Sequence, residues 1–199
     1  MFLLYHLVLG VPSGGGDYPQ QNHGRSRLLG LVVFSGIINN MKIFVGTDHA
    51  GFTLKEKLIA SLKVQGYDVV DKGAYEYNES DDYPDFITPV AREVSKDPEA
   101  VRGIILGATG QGEAMDANKF PHVRAMVYYG EAKCIVDDES NVIVRAREHN
   151  DSNILSLGAR YLTEETMLSA VNLWLETPYS KEERHVRRLE KIDNIKLND

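Results

Sequence analysis

The chain is poor in cysteine, in positive charge and in long apolar runs, and each shortage excludes something. One cysteine, Cys134, among 199 residues cannot close an internal disulfide, and a reducing, cytoplasmic setting fits. No motif surrounds Cys134, so its thiol reads as buried or incidental rather than as a nucleophile. Twenty-two Lys and Arg against 29 Asp and Glu leave a net charge of −7, which argues against nucleic acid or an anionic membrane as the main partner. Two apolar stretches near the start, residues 2–9 and 28–38, fall short of the ~18 residues of a membrane helix. The first also lacks the basic start of a signal peptide. The six histidines show no paired metal-ligand spacing, so neither a metal nor a cofactor is expected.

What remains is ordinary in composition, 43% apolar and 26% charged, enough to bury the core of one domain. Residues 1–40 differ from the rest. They join the two apolar stretches to loop-like segments rich in Gly, Ser, Pro, Gln and Asn. The expectation is an N-terminal extension, disordered or arising from a mis-assigned start codon, ahead of a working domain at 41–199. A cleaved targeting segment is the competing reading.

From Met41 onward strands and helices alternate. Residues 43–46 predict a strand and 47–51 the turn after it. Residues 52–65 carry Leu54, Leu58, Ile59 and Leu62 at helical spacing, and Gly66 ends that helix. A second strand at 67–71 leads into a polar loop, and Pro84 opens a helix to about residue 95. Strands follow at 103–107, 124–128 and 154–158. Residues 130–148 look irregular, and 149–153 a polar turn. Thr163, with Glu164 and Glu165 behind it, caps a helix to residue 176. A last, highly charged helix runs from 181 to about 195. The expectation is a single-domain α/β fold: a doubly wound five-stranded parallel sheet covered on both faces, Rossmann- or flavodoxin-like, with a C-terminal charged helix.

The central stretch is Gly103-Ile-Ile-Leu-Gly107-Ala108-Thr109-Gly110-Gln111-Gly112-Glu113. A buried strand feeds a glycine-rich turn that opens a helix, an arrangement suited to an anion. Glu113 is awkward there unless it has a chemical task; otherwise it is an ordinary helix-start glutamate. Ligand crevices of open α/β sheets lie at the carboxyl ends of the strands, so Asp48 and Glu113 should converge. His149 precedes its strand and reaches that crevice only by a helix end or from another subunit. Arg184 and Arg188, four residues apart, share a helix face and could grip a phosphate. The plainer reading is a solvated helix with Glu182, Glu183 and Glu190 as their partners. Arg160 is a third candidate. An anion grip, a carboxylate base and a histidine together suit proton transfer next to a carbonyl, as in aldose–ketose interconversion through an enediolate.

The ordered motifs Gly46-Thr-Asp48-His49-Ala-Gly51, Asp81-Asp-Tyr83-Pro84, Gly107-Ala-Thr-Gly-Gln-Gly-Glu113, Ala117-Asn-Lys119, Arg147-Glu-His149-Asn150, Leu157-Gly-Ala-Arg160 and Arg184-His-Val-Arg-Arg188 resemble ribose-5-phosphate isomerase type B. That family is shared with galactose-6-phosphate isomerase subunits, and the resemblance spans about residues 41–195. It implies that Asp48 and His49 line the sugar-phosphate site and that Ala108, Thr109, Gly110, Gln111 and Gly112 form the anion loop, with Thr109 near the enediolate oxygens. It implies further that His149 assists ring opening, that Asn150 contacts substrate, and that Arg160, Arg184 and Arg188 hold phosphate. It also implies a homodimer, or a dimer of dimers, with the site at the dimer interface. One branch of the family has a cysteine base at the end of the third strand, where this chain has Gly107. Another has glycine there and a glutamate base further along, the place of Glu113. The segment between Tyr128 and Arg147 is longer than in compact members, with 137–141 as the insertion, a solvated loop or a rim over the site. The residues leave open a hexose-6-phosphate isomerase acting on galactose or allose phosphates, and a non-catalytic phosphosugar-binding module.

Overall fold

A computed structural model describes residues 41–136 and 140–195. The expected extension at 1–40 and residues 137–139 of the expected insertion lie outside the described residues. The elements run β1 (Lys42–Thr47), α1 (Phe52–Val64), β2 (Asp68–Asp71), α2 (Pro84–Lys96), β3 (Val101–Gly107), α3 (Gln111–Ala117), β4 (Ala125–Tyr128), α4 (Val142–Asn150), β5 (Ile154–Gly158), α5 (Glu164–Glu176) and α6 (Glu183–Asp193). All the strand pairings are parallel, and the five-stranded sheet has the order β2-β1-β3-β5-β4.

Both faces of the sheet are covered, which is why its central strands are apolar on both sides. Side chains alternate along each strand. Ile43, Val45, Ile104, Leu106, Leu155 and Leu157 point to one layer, with Leu58 and Leu62 of α1 and Met167, Val171 and Trp174 of α5. Phe44, Ile105 and Ile154 point to the other, against Ile87, Val90 and Val94 of α2 and Ala117 of α3. The chain leaves β1 toward β2 on one side and returns to β3 on the other. The carboxyl ends of β1 and β3 therefore flank the topological switch point, where a crevice opens.

One expectation needs correcting. Residues 142–150 are neither irregular nor a turn but the helix α4, and His149 and Asn150 sit in its last turn. Asn141 caps it, its side chain accepting from the Ile143 and Val144 amides at 2.8 and 3.3 Å. Three successive β-branched residues open the helix, a sequence with little helical propensity of its own. Tertiary anchors make up the difference: Ile143 and Arg147 are buried. The Arg147 guanidinium donates from Nε to the Thr177 carbonyl at 3.1 Å and from Nη1 to Asp151 Oδ1 at 2.9 Å.

Candidate active site

Two groups of predicted residues are assembled from different elements. The first lies at the ends of β1 and β3. Asp48 is 7% exposed and caps the short 3-10 turn His49–Gly51, accepting from the Ala50 amide at 3.0 Å. His49 is half-buried, and its ring Nδ1 lies 2.6 Å from Asp81 Oδ1. The glycine-rich loop follows β3. Gly110 has φ +76°, a left-handed backbone that glycine adopts freely, and its carbonyl accepts from Ser156 Oγ of β5 at 2.6 Å. Thr109 is exposed, and its Oγ1 accepts from the Gln111 amide at 3.2 Å. Ala108 accepts from the Arg160 amide at 3.2 Å, which ties the exposed Arg160 to the loop through its backbone. Gln111 and Gly112 open α3, and Gly112 faces the Tyr83 ring.

Glu113 stands in the first turn of α3 but is only 4% exposed. Its carboxylate is turned back against Gly107, in the space that a Cβ at 107 would occupy. Burial raises its pKa, the charge of Asp48 adds to the rise, and a backbone hydrogen bond offsets part of it. Burial raises the Asp48 pKa as well. The Ala50 and Gly51 amides and His49 counter the rise, and Asp81 adds to it. This end of the sheet thus gathers desolvated carboxylates whose charges oppose one another, the usual way to make a carboxylate basic enough to take a proton near neutral pH.

The second group lies on α4 and α6, which pack together. The His149 ring stacks on His185, with centroids 4.2 Å apart and planes 34° from parallel. His185 is 1% exposed, and its Nδ1 lies 2.8 Å from Ser180 Oγ. Burial, His149 and the flanking Arg184 and Arg188 lower its pKa, while Glu182 opposes them. Arg184 and Arg188 are both exposed on α6. Arg184 Nε donates to Glu182 Oε2 at 2.8 Å. Asn150 is exposed at the end of α4. Asp48, His49 and Asp81 are the described residues whose donor atoms, all within 4.8 Å of one another, could be offered to a cation.

The sequence pattern of the Ribose/Galactose Isomerase family matches residues 43–192. The chain belongs to this family. Ribose-5-phosphate isomerase B of Mycolicibacterium paratuberculosis is 37% identical over 150 residues, 75% of this chain and 88% of the relative. A crystal structure of ribose-5-phosphate isomerase B from Mycoplasma genitalium, with bound ribulose-5-phosphate, matches at TM-score 0.68 and 34% identity over 77% of this chain and 94% of that one. The enzyme from Clostridium thermocellum matches at TM-score 0.67 and 41% identity, over 77% and 95%. The protein is therefore an isomerase.

Two residues of this isomerase received no role from its sequence. Asp81 and His185 lie in Asp81-Asp-Tyr83-Pro84 and Arg184-His-Val-Arg-Arg188, but membership of a motif does not say what a side chain touches. Asp81 is joined to His49 across 32 residues of chain. His185 stands among charges on α6, yet it faces inward against His149.

Proposed function

We propose that this isomerase interconverts ribose 5-phosphate and ribulose 5-phosphate through an enediolate. The observation that carries the reading is the buried Glu113 carboxyl, seated beside Gly107 with its pKa raised by burial and by Asp48. Glu113 takes the proton from C2 of the open-chain aldose. The electrons of that C–H bond form the C1–C2 double bond, and the C1 carbonyl oxygen becomes an oxyanion. Returning the proton to C1 while the proton of the C2 hydroxyl passes to the C1 oxyanion yields the ketose, with C2 now the carbonyl. Thr109 and the backbone amides of the 108–112 loop steady the oxyanion. His149 moves the proton that opens the sugar ring, and Asn150 orients a hydroxyl. Arg160, Arg184 and Arg188 hold the phosphate, and Asp48 and His49 line the sugar. No step calls on a metal. The active unit is a homodimer, in which α4 and α6 of one subunit complete the β1–β3 crevice of its partner.

The names of the relatives support the pentose substrate, and the family's own description, ribose and galactose, makes a hexose phosphate the alternative to test. Turnover of ribose 5-phosphate, allose 6-phosphate and galactose 6-phosphate by the purified protein decides between them, and highest kcat/KM on ribose 5-phosphate is expected. Glu113→Gln keeps size and hydrogen bonding but cannot accept the proton. It should lower kcat by roughly 10²-fold or more with KM little changed. Deuterium at C2 should exchange with solvent in the wild type and not in this variant. Near-normal kcat would return Glu113 to a helix-start role and make Asp48 the next candidate base.

A further inference from the structure

His49 is held from two directions by one carboxylate. Asp81 Oδ1 accepts from the His49 backbone amide at 3.1 Å and lies 2.6 Å from the ring Nδ1. The Asp81 side chain is 8% exposed and that of His49 25%. The other oxygen, Asp81 Oδ2, is buried and has no hydrogen-bond partner among the described residues. Tyr77 meets the His49 ring edge-on, centroids 6.4 Å apart, and the Asp48 carboxylate completes the cluster.

The loop that carries Asp81 is anchored where β1 ends. Thr47, the last residue of β1, exchanges backbone hydrogen bonds with the turn below the loop: its amide donates to Gly73 at 2.8 Å and its carbonyl accepts from Ala74 at 2.7 Å. The fully buried Lys55 donates to Asp71 Oδ2 and to the Ala74 carbonyl, both at 2.7 Å. The start of the loop that carries Asp81 is therefore tied to the end of the strand that leads into His49, and the loop's bonds to His49 close the circuit.

An ionised carboxylate only accepts hydrogen bonds. Facing one at 2.6 Å, Nδ1 must carry a proton whether the ring is neutral or charged, so Nε2 is the position left to change. The hydrogen bond at one ring nitrogen sets what the other can do.

We infer that Asp81 is a positioning residue of the active site, which holds His49 with its proton on Nδ1 and presents Nε2 to the sugar phosphate. This deepens the proposed function and rests on its placing of His49 against substrate. Asp81 itself does not touch the reacting atoms; it acts through His49. With the proton fixed on Nδ1, the neutral ring offers substrate a lone pair at Nε2 and the charged ring an N–H, without first having to reorient. Losing Asp81 would leave the ring free to adopt the other tautomer or to turn.

The test reads the His49 ring directly. Long-range proton–nitrogen correlation spectra of 15N-labelled wild-type protein, assigned by the signals lost in His49→Gln, report which ring nitrogen is protonated. The expected result is a protonated Nδ1 in the wild type and a shift toward the Nε2-protonated tautomer in Asp81→Asn. Asp81→Asn should lower kcat/KM by roughly tenfold or more, less than the ~10²-fold and upward of a lost acid–base group. The double variant Asp81→Asn/His49→Gln should be no slower than His49→Gln alone. A wild-type His49 protonated only on Nε2, or single losses that multiply in the double variant, would overturn the assignment. Should Asp81→Asn not fold, the wild-type spectrum decides by itself. A wild-type spectrum as expected in a protein inactive on ribose 5-phosphate would sink the substrate reading and leave the role of Asp81 standing.

Discussion

The Glu113 carboxylate occupies the space that a side chain at position 107 would need. Glycine at the end of β3 is therefore the condition for the buried pose of Glu113, and a cysteine at 107 and a glutamate folded back from 113 exclude each other in this geometry. Gly107→Ala should force the carboxylate out of its seat. The expected outcome is a kcat lowered by about 10²-fold, the scale of a lost general base, with KM for the sugar phosphate moved far less. Steady-state kinetics with a thermal melt as a folding control check it. Unchanged kcat would mean that the seat beside Gly107 is not the working position.

The same seat has a cost in stability, with a definite pH sign. The folded-state pKa of Glu113 is raised, chiefly by burial. Between the ordinary value of ~4.3 and the raised one, the folded chain binds the proton more tightly than the unfolded chain. The contribution of Glu113 to stability is thus fully present below the ordinary value and lost as pH rises through the raised one. Glu113→Gln, which cannot ionise, should melt at a higher temperature than the wild type near pH 8, with the advantage shrinking toward pH 4. Melting curves across that range test it; a Glu113→Gln protein that is less stable at pH 8 would contradict a desolvated carboxylate.

Much of this could be seen in the sequence, for physical reasons that also mark its limits. The central strands β1, β3 and β5 are apolar because both faces are covered, and apolar runs between helical patterns are hard to mistake. Asp48 and Glu113 fall near each other because both follow strands of one parallel sheet, and the charge of Asp48 bears on Glu113 as that placement requires. Helix α4 was hidden because its own residues favour it weakly; it is held by Ile143 in the core and by Arg147, which reaches the distant Thr177 carbonyl as well as the nearby Asp151. The grip of Asp81 on His49 was hidden likewise, since a polar loop carries no periodicity to say where it returns. His185 looked like one more charge on a charged helix, and only the packing of α6 on α4 turns it inward.

Phosphate affinity should reside on α6. Arg188 is exposed and shares a face with Arg184. A charge-assisted hydrogen bond contributes roughly 1.5–3 kcal/mol, so Arg188→Ala should raise KM by roughly tenfold to hundredfold, each ~1.4 kcal/mol being a factor of ten. The kcat should change much less, because the phosphate is remote from C1 and C2. An unchanged KM would remove Arg188 from the phosphate site.

Residues 1–40 should be dispensable. β1 begins at Lys42, and the sheet, its covering helices and every proposed site residue fall within 41–195. A chain trimmed to 41–199 should be folded and should match the full chain in kcat/KM. Loss of solubility or of turnover on trimming would give the first segment a role in the domain.

The final prediction concerns whether one subunit holds a whole site. Asp48, His49 and Glu113 are gathered at the ends of β1 and β3, whereas His149 sits on α4 among residues of α6, stacked on His185. If a dimer completes each crevice with its partner's α4 and α6, the two halves can be supplied by different chains. Glu113→Gln and His149→Ala should each be nearly inactive alone. Mixing them after reversible dissociation should form heterodimers in which one of the two crevices pairs an intact Glu113 with an intact His149, while the other carries both lesions. With random pairing half of the dimers are mixed, so roughly a quarter of wild-type activity should return. The arithmetic is specific to a shared site: if Glu113 and His149 served the same crevice within one subunit, every crevice in the mixture would keep one lesion and no activity would return. Differently tagged subunits, captured in series, establish that exchange has occurred. Absence of rescue in the captured heterodimer would place the whole site within a single chain.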